Sequence, residues 1–558
     1  MSHNLAIETG WDEASILPPG LKDYGRLGKA RIVGTDAQPL SLQHGLLLAG
    51  YAFRRQTFSS LLAIDRADAQ RITSTDGKWA IDNLWGNYLL AWVGGNGSVR
   101  ILRSPSTGPA LYHHAGSGSA CIFTDLALAR ALGHALTHPD PAALDAHLRF
   151  PLLRGPATGL TGVREILAGE IAALGEAGEP RCAWSPWSYV GRRPRVVAPE
   201  ELREVVQSVV AAWASRFPRV QLELSGGLDS SIVAVSLGGR PDWRAVNLAT
   251  EGASGDERIY ARAAAQAAGA PLVEIMLPGD AGDPLALPEH VRVRPAGFGL
   301  LRSSNAALLK AARDYGADAI FSGAGGDNIF GYIRRVGPVI DAFRFAGVRS
   351  GMKAAADLAD LTGDSLWRAL RLAARRCIVR PPDWPADSAF LSARYATSQP
   401  PHPWLASGRG VSAGQFGYGR AMLPIQPFLD GYDRALEMPM IAPLLSQPLA
   451  EFGLSVATWQ WSAGGHDRSL ARAAFAELLP PIVRDRRTKG RVDSLFAPAF
   501  DANRPALRQF LLGGWLAAAG ILDSDAIDAA LHRPANALDA VYIRLLQIAD
   551  VERWVRSL

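Results

Sequence analysis

The spacing of apolar and polar residues changes character part-way along the chain. Over residues 1–190 the apolar positions come in short runs, such as Trp79-Ala80-Ile81, Tyr88-Leu89-Leu90-Ala91-Trp92-Val93 and Val99-Arg100-Ile101-Leu102, broken by turns like Gly94-Gly95-Asn96-Gly97. Short apolar runs between turn residues predict the hairpins of a layered β domain. Residues 191–199, with two prolines and three arginines, predict an exposed linker. From Pro199 the spacing becomes helical, with Leu202, Val205, Val206, Val209 and Trp213 on one face and Pro199, Glu200 and Glu201 where proline and acids suit a helix start. Strand candidates at 220–224, 245–249, 272–276 and 317–321 then alternate with helical stretches near 230–237, 256–268 and 303–315. Such alternation predicts an α/β domain built on a doubly wound parallel sheet. Beyond about 335 the pattern is helical, so this second domain is expected to cover 200–558.

Two glycine loops fall where the first and last of these strands end. Ser225-Gly226-Gly227-Leu228-Asp229-Ser230-Ser231 joins a strand to a helix start. Its glycines allow close backbone approach, and its serines add hydroxyl donors where the N–H groups of a helix terminus already favour an anion. A carboxylate in an anion site requires a bridging cation, which makes Asp229 a Mg²⁺ ligand. The loop is not the GxxxxGK[ST] phosphate loop. The second cluster, Ser322-Gly323-Ala324-Gly325-Gly326-Asp327-Asn328, again sets an aspartate in a glycine-rich loop. Ligands of doubly wound sheets bind beyond the carboxyl ends of the strands, so Asp229 and Asp327 are expected on neighbouring strand ends, holding one Mg²⁺ between them.

Size and charge narrow the reading. A chain of 558 residues exceeds what one core serves. Glu8, Asp12 and Glu13 interrupt any signal-peptide core, and the apolar run at 510–522 is too short to span a bilayer and closes at Asp523. A cytoplasmic location with no membrane partner is expected. Cys121, Cys182 and Cys377 form no metal-ligand spacing and are expected to be buried thiols. The net charge of +5 and pI near 9.1 suit an acidic peptide substrate. Arginines such as Arg192, Arg193 and Arg195 are not gathered with aromatics, so no nucleic-acid partner is expected, and a tRNA-modifying enzyme stays as the alternative that the pI alone favours.

The 225–231 heptad resembles the pyrophosphate loop of N-type ATP pyrophosphatases in the form used by asparagine synthetases, which cleave ATP between its α and β phosphates to form an acyl-adenylate. The second loop resembles that family's in SGAGGD but carries Asn328 where the family has glutamate. Pro443-Leu444-Leu445-Ser446-Gln447-Pro448-Leu449 looks like a recast Pro-Phe-Leu-Asp segment, and Arg486-Arg487-Thr488-Lys489-Gly490 looks like the family's Arg-x-Lys-x-Gly segment. The resemblance implies ATP and Mg²⁺ as cofactors and Lys489 as the catalytic lysine. It also implies adenosine contacts at Leu224, Leu248, Ser322 and Gly323, and ATP-phosphate contacts at Ser225, Gly226, Gly227, Asp229, Ser230 and Ser231. Asp256-Glu257 matches the family's acidic position or is a plain helix start.

Residues 1–190 resemble the family's glutaminase domain, a class II N-terminal-nucleophile hydrolase, in Trp85-Gly86-Asn87-Tyr88, in Arg103-Ser104-Pro105-Ser106-Thr107-Gly108 and in Phe123-Thr124-Asp125-Leu126. That family begins Met-Cys-Gly, whereas this chain reads Met1-Ser2-His3. The domain is therefore expected to be degenerate, with the attacking amine supplied by the substrate itself. Among relatives of this kind, SGAGGDN, Trp459-Gln460-Trp461 and Gly464-Gly465-His466-Asp467-Arg468 look most like lasso peptide cyclases. The resemblance implies ATP-dependent closure of a macrolactam in a leader-cleaved precursor peptide, between an Asp or Glu side chain and the N-terminal amine, with a leader peptidase as partner. A β-lactam synthetase-like or ammonia-dependent asparagine synthetase-like amidoligase is the alternative.

Overall fold

The computed structural model describes residues 4–558 except 12–16, 36–39, 117, 177, 251–255, 278–282, 284, 296–300, 333, 380–381, 409, 432–433, 488–492 and 534–540. The N-terminal part is two stacked antiparallel sheets. One orders its strands Val163–Ile166, Leu111–Ala115, Ala120–Phe123, Leu5–Thr9, Ala30–Gly34 and Lys22–Leu27. The other runs Arg181–Cys182, Glu170–Ala173, Val99–Arg103, Leu84–Val93, Leu46–Arg54 and Leu40–Gln43, with Ser60–Leu61 beside Leu46–Arg54. Side chains alternate across a strand, so Leu5, Ile7, Ile32, Leu47, Leu89, Ile101 and Ile122 fill the space between the sheets.

The outer faces of both sheets are buried against the C-terminal part. Ala6, Cys121 and Phe123 pack with Leu516, Ile527, Leu545 and Trp554 from the last helices of the chain. On the other sheet Phe53 stacks on Trp85 at 4.4 Å, and Trp213 of the helix Pro199–Ala214 meets Phe53 edge-on at 4.9 Å. The linker is pinned at its backbone. Arg195 N–H donates to Ser455 O at 2.8 Å, Ala457 N–H donates to Arg195 O at 2.7 Å, and the Gln460 amide takes both the N–H and the carbonyl of Val197. Arg192, Arg193 and Arg195 are exposed, as is Val196.

The parallel sheet has the order Leu272–Met276, Trp243–Ala249, Val220–Glu223, Ala319–Ser322, Met440–Ile441, all strands parallel. Helix Arg302–Tyr315 covers the face of Val246, Leu248, Val273 and Ile275 through Leu308 and Ala311. Helices Pro199–Ala214, Leu228–Leu237 and Arg258–Ala268 share the opposite core with Leu222, Ala245 and Phe321. The chain leaves Val220–Glu223 toward one edge and returns to Ala319–Ser322 on its other side, which makes the gap between them the topological switch point.

Three expectations are corrected. Trp79-Ala80-Ile81 lies in a helix, Lys78–Asn83, entered through left-handed Gly77 (φ +82°), clipped by a Lys78–Asp82 pair at 2.6 Å and burying Ala80 and Ile81 on one side. The strand Met440–Ile441, two residues long, had no pattern to announce it. Of the cysteines only Cys121 is buried; Cys182 is partly covered and Cys377 sits on the exposed face of the helix Leu366–Ile378. No helix among the described residues is long and apolar enough to cross a membrane.

Candidate active site

The site begins where the central strand ends. Leu224 is fully buried, and its N–H donates to Val246 O at 2.8 Å while the Asn247 amide donates to Leu224 O at 2.8 Å, so the strand end is rigid as it enters the loop. Gly226 has φ +74°, and a Cβ there would stand 2.7 Å from Ala261 N and Tyr260 Cβ. No other residue fits that turn. Gly227 caps the helix Leu228–Leu237 without a side-chain hydrogen bond, so the first N–H groups of the helix are left to an anion. Ser225 Oγ lies 3.1 Å from Ser230 Oγ and accepts from Gly227 N–H at 3.3 Å. Ser231 is fully buried and its Oγ has no partner.

The second loop packs directly on the first. Glu223 pairs with Ser322 across the sheet, and a Cβ on Gly323 would stand 2.4 Å from Ser230 N. One on Gly326 would stand 2.4 Å from Asp229 Cγ. The glycines that suggested a ligand cradle therefore also serve to bring two loops into backbone contact. Asn328 gives its amide to Ala421 O, a tie between the loop and the end of helix Ala413–Arg420. Ser322 is buried at the strand end beside Gly323, and Leu248 is partly buried on the neighbouring strand, so the four expected adenosine contacts lie on adjacent strand ends.

Asp229 and Asp327 converge on a single cation position, which the Arg468 guanidinium occupies. Its Nη1 is 2.6 Å from Asp327 Oδ1 and 3.3 Å from Asp229 Oδ2. Arg468 has φ +52° at the start of helix Ser469–Ala474, is held by Asp467 at 3.1 Å and lies 5.1 Å over the Tyr332 ring. Burial alone would raise the Asp467 carboxyl, but Arg468 and Arg472 outweigh it and hold it below the usual range. Two carboxylate oxygens aimed at one cation, beside a helix start with open N–H groups, fit Mg²⁺ and the phosphates of ATP. Arg468 was not singled out as a site residue. In the sequence it stands only at the end of the Gly464-Gly465-His466-Asp467-Arg468 segment that resembles lasso peptide cyclases, with nothing to tie it to the two aspartates.

A third element reaches the rim. Arg486 lies 3.8 Å over the Tyr260 ring, pairs with Glu257 at 2.6 Å and approaches Gly226 O at 3.5 Å. Arg472 donates to the carbonyls of Arg484 and of Arg486, the latter at 3.0 Å. Glu257 is thus a site-rim anchor, while Asp256 accepts from Arg258 N–H at 3.0 Å as a helix start would. Lys489 and Ser2 lie outside the described residues. The 443–449 segment is a joint between the two halves. Ser446 accepts from Trp213 Nε1 at 2.8 Å, Gln447 donates to Ile81 O at 3.0 Å, and Glu451 takes Trp184 Nε1 at 2.8 Å and pairs with Arg55. Arg103, from the glutaminase-like motif, is buried against Glu165 at 2.7 Å.

No curated protein matches this chain. A solved structure titled as that of the allosteric regulatory enzyme of purine biosynthesis is similar at 12% identity and a TM-score of 0.20, over 57% of this chain and 84% of that one. The family model described as asparagine synthase matches residues 201–556, which take in both glycine loops, Arg468 and the Arg486 rim. This chain belongs to the asparagine synthase family and is an ATP-dependent amide-forming ligase.

Proposed function

We propose that this protein is a lasso peptide cyclase: it adenylates an Asp or Glu side chain of a leader-cleaved precursor peptide and lets the peptide's own N-terminal amine capture it. The observation that carries the adenylation half is the convergence of Asp229 and Asp327 on one cation position at the open helix start. ATP lies with its phosphates on the 225–231 loop and its adenosine against Leu224, Leu248, Ser322 and Gly323. Mg²⁺, when bound, is held by Asp229 and Asp327 and neutralises the phosphate charge. Arg468 then yields its position between the two carboxylates and turns its charge toward the departing pyrophosphate. The peptide carboxylate attacks the α-phosphorus, the bond to the β-phosphate oxygen breaks and pyrophosphate leaves. The amine attacks the acyl carbon, AMP leaves, and the amine proton is lost to solvent. Lys489, three residues beyond the anchored Arg486, stabilises the negative charge on the α-phosphate and the tetrahedral centre.

The amine half rests on the N-terminal part. Cys121, on the N-terminal sheet face that packs against the C-terminal helices, is fully buried and is not placed to release ammonia from glutamine. A tethered amine gains its rate from proximity, since both reacting ends belong to one bound peptide. The reading needs a protease partner that removes the leader and exposes that amine.

ATP–pyrophosphate exchange over a panel of acids tests the assignment. Exchange driven by leader-free peptides carrying Asp or Glu, and absent with free aspartate, is the expected result. Exchange with free aspartate and none with any peptide would sink it in favour of a small-molecule amidoligase.

A further inference from the structure

We propose that Glu8, Cys121 and His134 form a three-residue zinc site on the outer face of the first N-terminal sheet, with the fourth position left to water. Strand pairing builds most of it. Glu8 lies opposite Cys121 and Cys121 opposite His114, so a carboxylate, a thiol and an imidazole stand in a row across three strands. His134 comes from the turn after helix Leu126–Ala131, fixed by its N–H to Ala129 O at 3.1 Å. One donor atom each of Glu8, Cys121 and His134 lies within 4.8 Å of the others, and His134 Nε2 is 4.0 Å from Glu8 Oε2. Donors around a tetrahedral zinc stand roughly 3.3–3.8 Å apart, so closing on an ion takes side-chain movements of about 1 Å.

The surroundings match those of a ligated ion. Arg31 donates to Glu8 Oε1 at 3.0 and 2.5 Å, which orients the carboxylate and leaves Oε2 toward His134. His114 Nδ1 donates to Gly162 O at 3.0 Å, and its ring, so held, meets that of His134 edge-on at 5.4 Å between centroids and orients the His134 imidazole. Outer partners of this kind fix the tautomer and aim of zinc ligands. Cys121 is fully buried and Glu8 4% exposed, while the His134 side chain, 11% exposed, gives an entry path. The mixed sulfur, nitrogen and oxygen set suits Zn²⁺ rather than Mg²⁺ or Ca²⁺. Binding displaces the thiol proton to solvent. The positions 8, 121 and 134 are too scattered for any motif to announce them.

The test uses the full chain, purified without metal-affinity media. Elemental mass spectrometry should find about one zinc per chain, and cobalt substitution should give a near-ultraviolet thiolate-to-cobalt band. Cys121→Ser should abolish the band, and His134→Gln should weaken zinc binding about 10-fold or more. Should Cys121→Ser fail to fold, the wild-type band and His134→Gln decide the matter. A cobalt spectrum without a thiolate band, or unchanged zinc affinity in His134→Gln, would overturn the site.

Discussion

Arg468 faces Asp229 and Asp327 with one guanidinium, and removing either carboxylate leaves the other to hold it. Asp229→Ala should therefore lower AMP formation about 100-fold or more while thermal unfolding changes by only a few degrees. A folded variant that keeps its activity would mean that Asp229 has no role at the phosphates. At this scale the meeting of the two aspartates was legible because each is an acid in a glycine loop at a strand end. The glycines were legible as a cradle but not as packing. That a Cβ on Gly326 would strike Asp229 Cγ at 2.4 Å depends on two loops nearly a hundred residues apart in sequence, which no local pattern encodes. Arg468 was hidden for the same reason, since its two partners come from different strands.

Strands and helices between 199 and 322 were readable because each has a periodic apolar face and a glycine or proline near its ends. The structure places them within a few residues of the expected bounds. Trp79-Ala80-Ile81 misled because three apolar residues do not distinguish helix from strand; Gly77 and the Lys78–Asp82 spacing decided it. The rim at 484–486 is clamped by Arg472 and by the Arg486–Glu257 pair. Arg472→Met keeps the bulk but removes the donors to both carbonyls. We expect trypsin to cut faster at Arg484 to Arg487 in this variant, and kcat to fall more than KM for ATP rises, because the clamped rim carries Arg486 to Glu257 and to Gly226 of the 225–231 loop. Unchanged cutting together with unchanged kcat would show that the clamp is dispensable.

Across the whole molecule each half has an apolar cluster of its own, and two further clusters run across the boundary between them. Phe53, Trp85 and Trp213 form one aromatic cluster across the boundary, and truncating any of them costs on the order of 3–5 kcal/mol. The linker composition suggested an exposed connection, and the pairing of Arg195 with Ser455 and Ala457 fixes its backbone in place.

A pH dependence follows from Glu170, whose Oε2 accepts from Leu167 N–H at 2.7 Å inside the N-terminal part. Burial pushes its carboxyl up to about 7, against the partial opposition of that hydrogen bond and of Arg103. The folded protein therefore keeps a proton that the unfolded chain has already lost. Its stabilising contribution is complete below the ordinary carboxylate range and fades as pH rises through 7. Glu170→Gln should remove this component, so the Tm difference between variant and wild type should widen from pH 5 to pH 7.5; a constant difference would refute the assignment.

The central claim is that one peptide supplies both the acid and the amine, and mass spectrometry of the product tests it most directly. With ATP and a leader-free precursor peptide, the account predicts AMP and a product lighter by one water, with its N-terminus blocked and linked to a single Asp or Glu side chain. A product that instead carries an added amide from ammonia, or a peptide returned unchanged while AMP accumulates with a small acid, would contradict it.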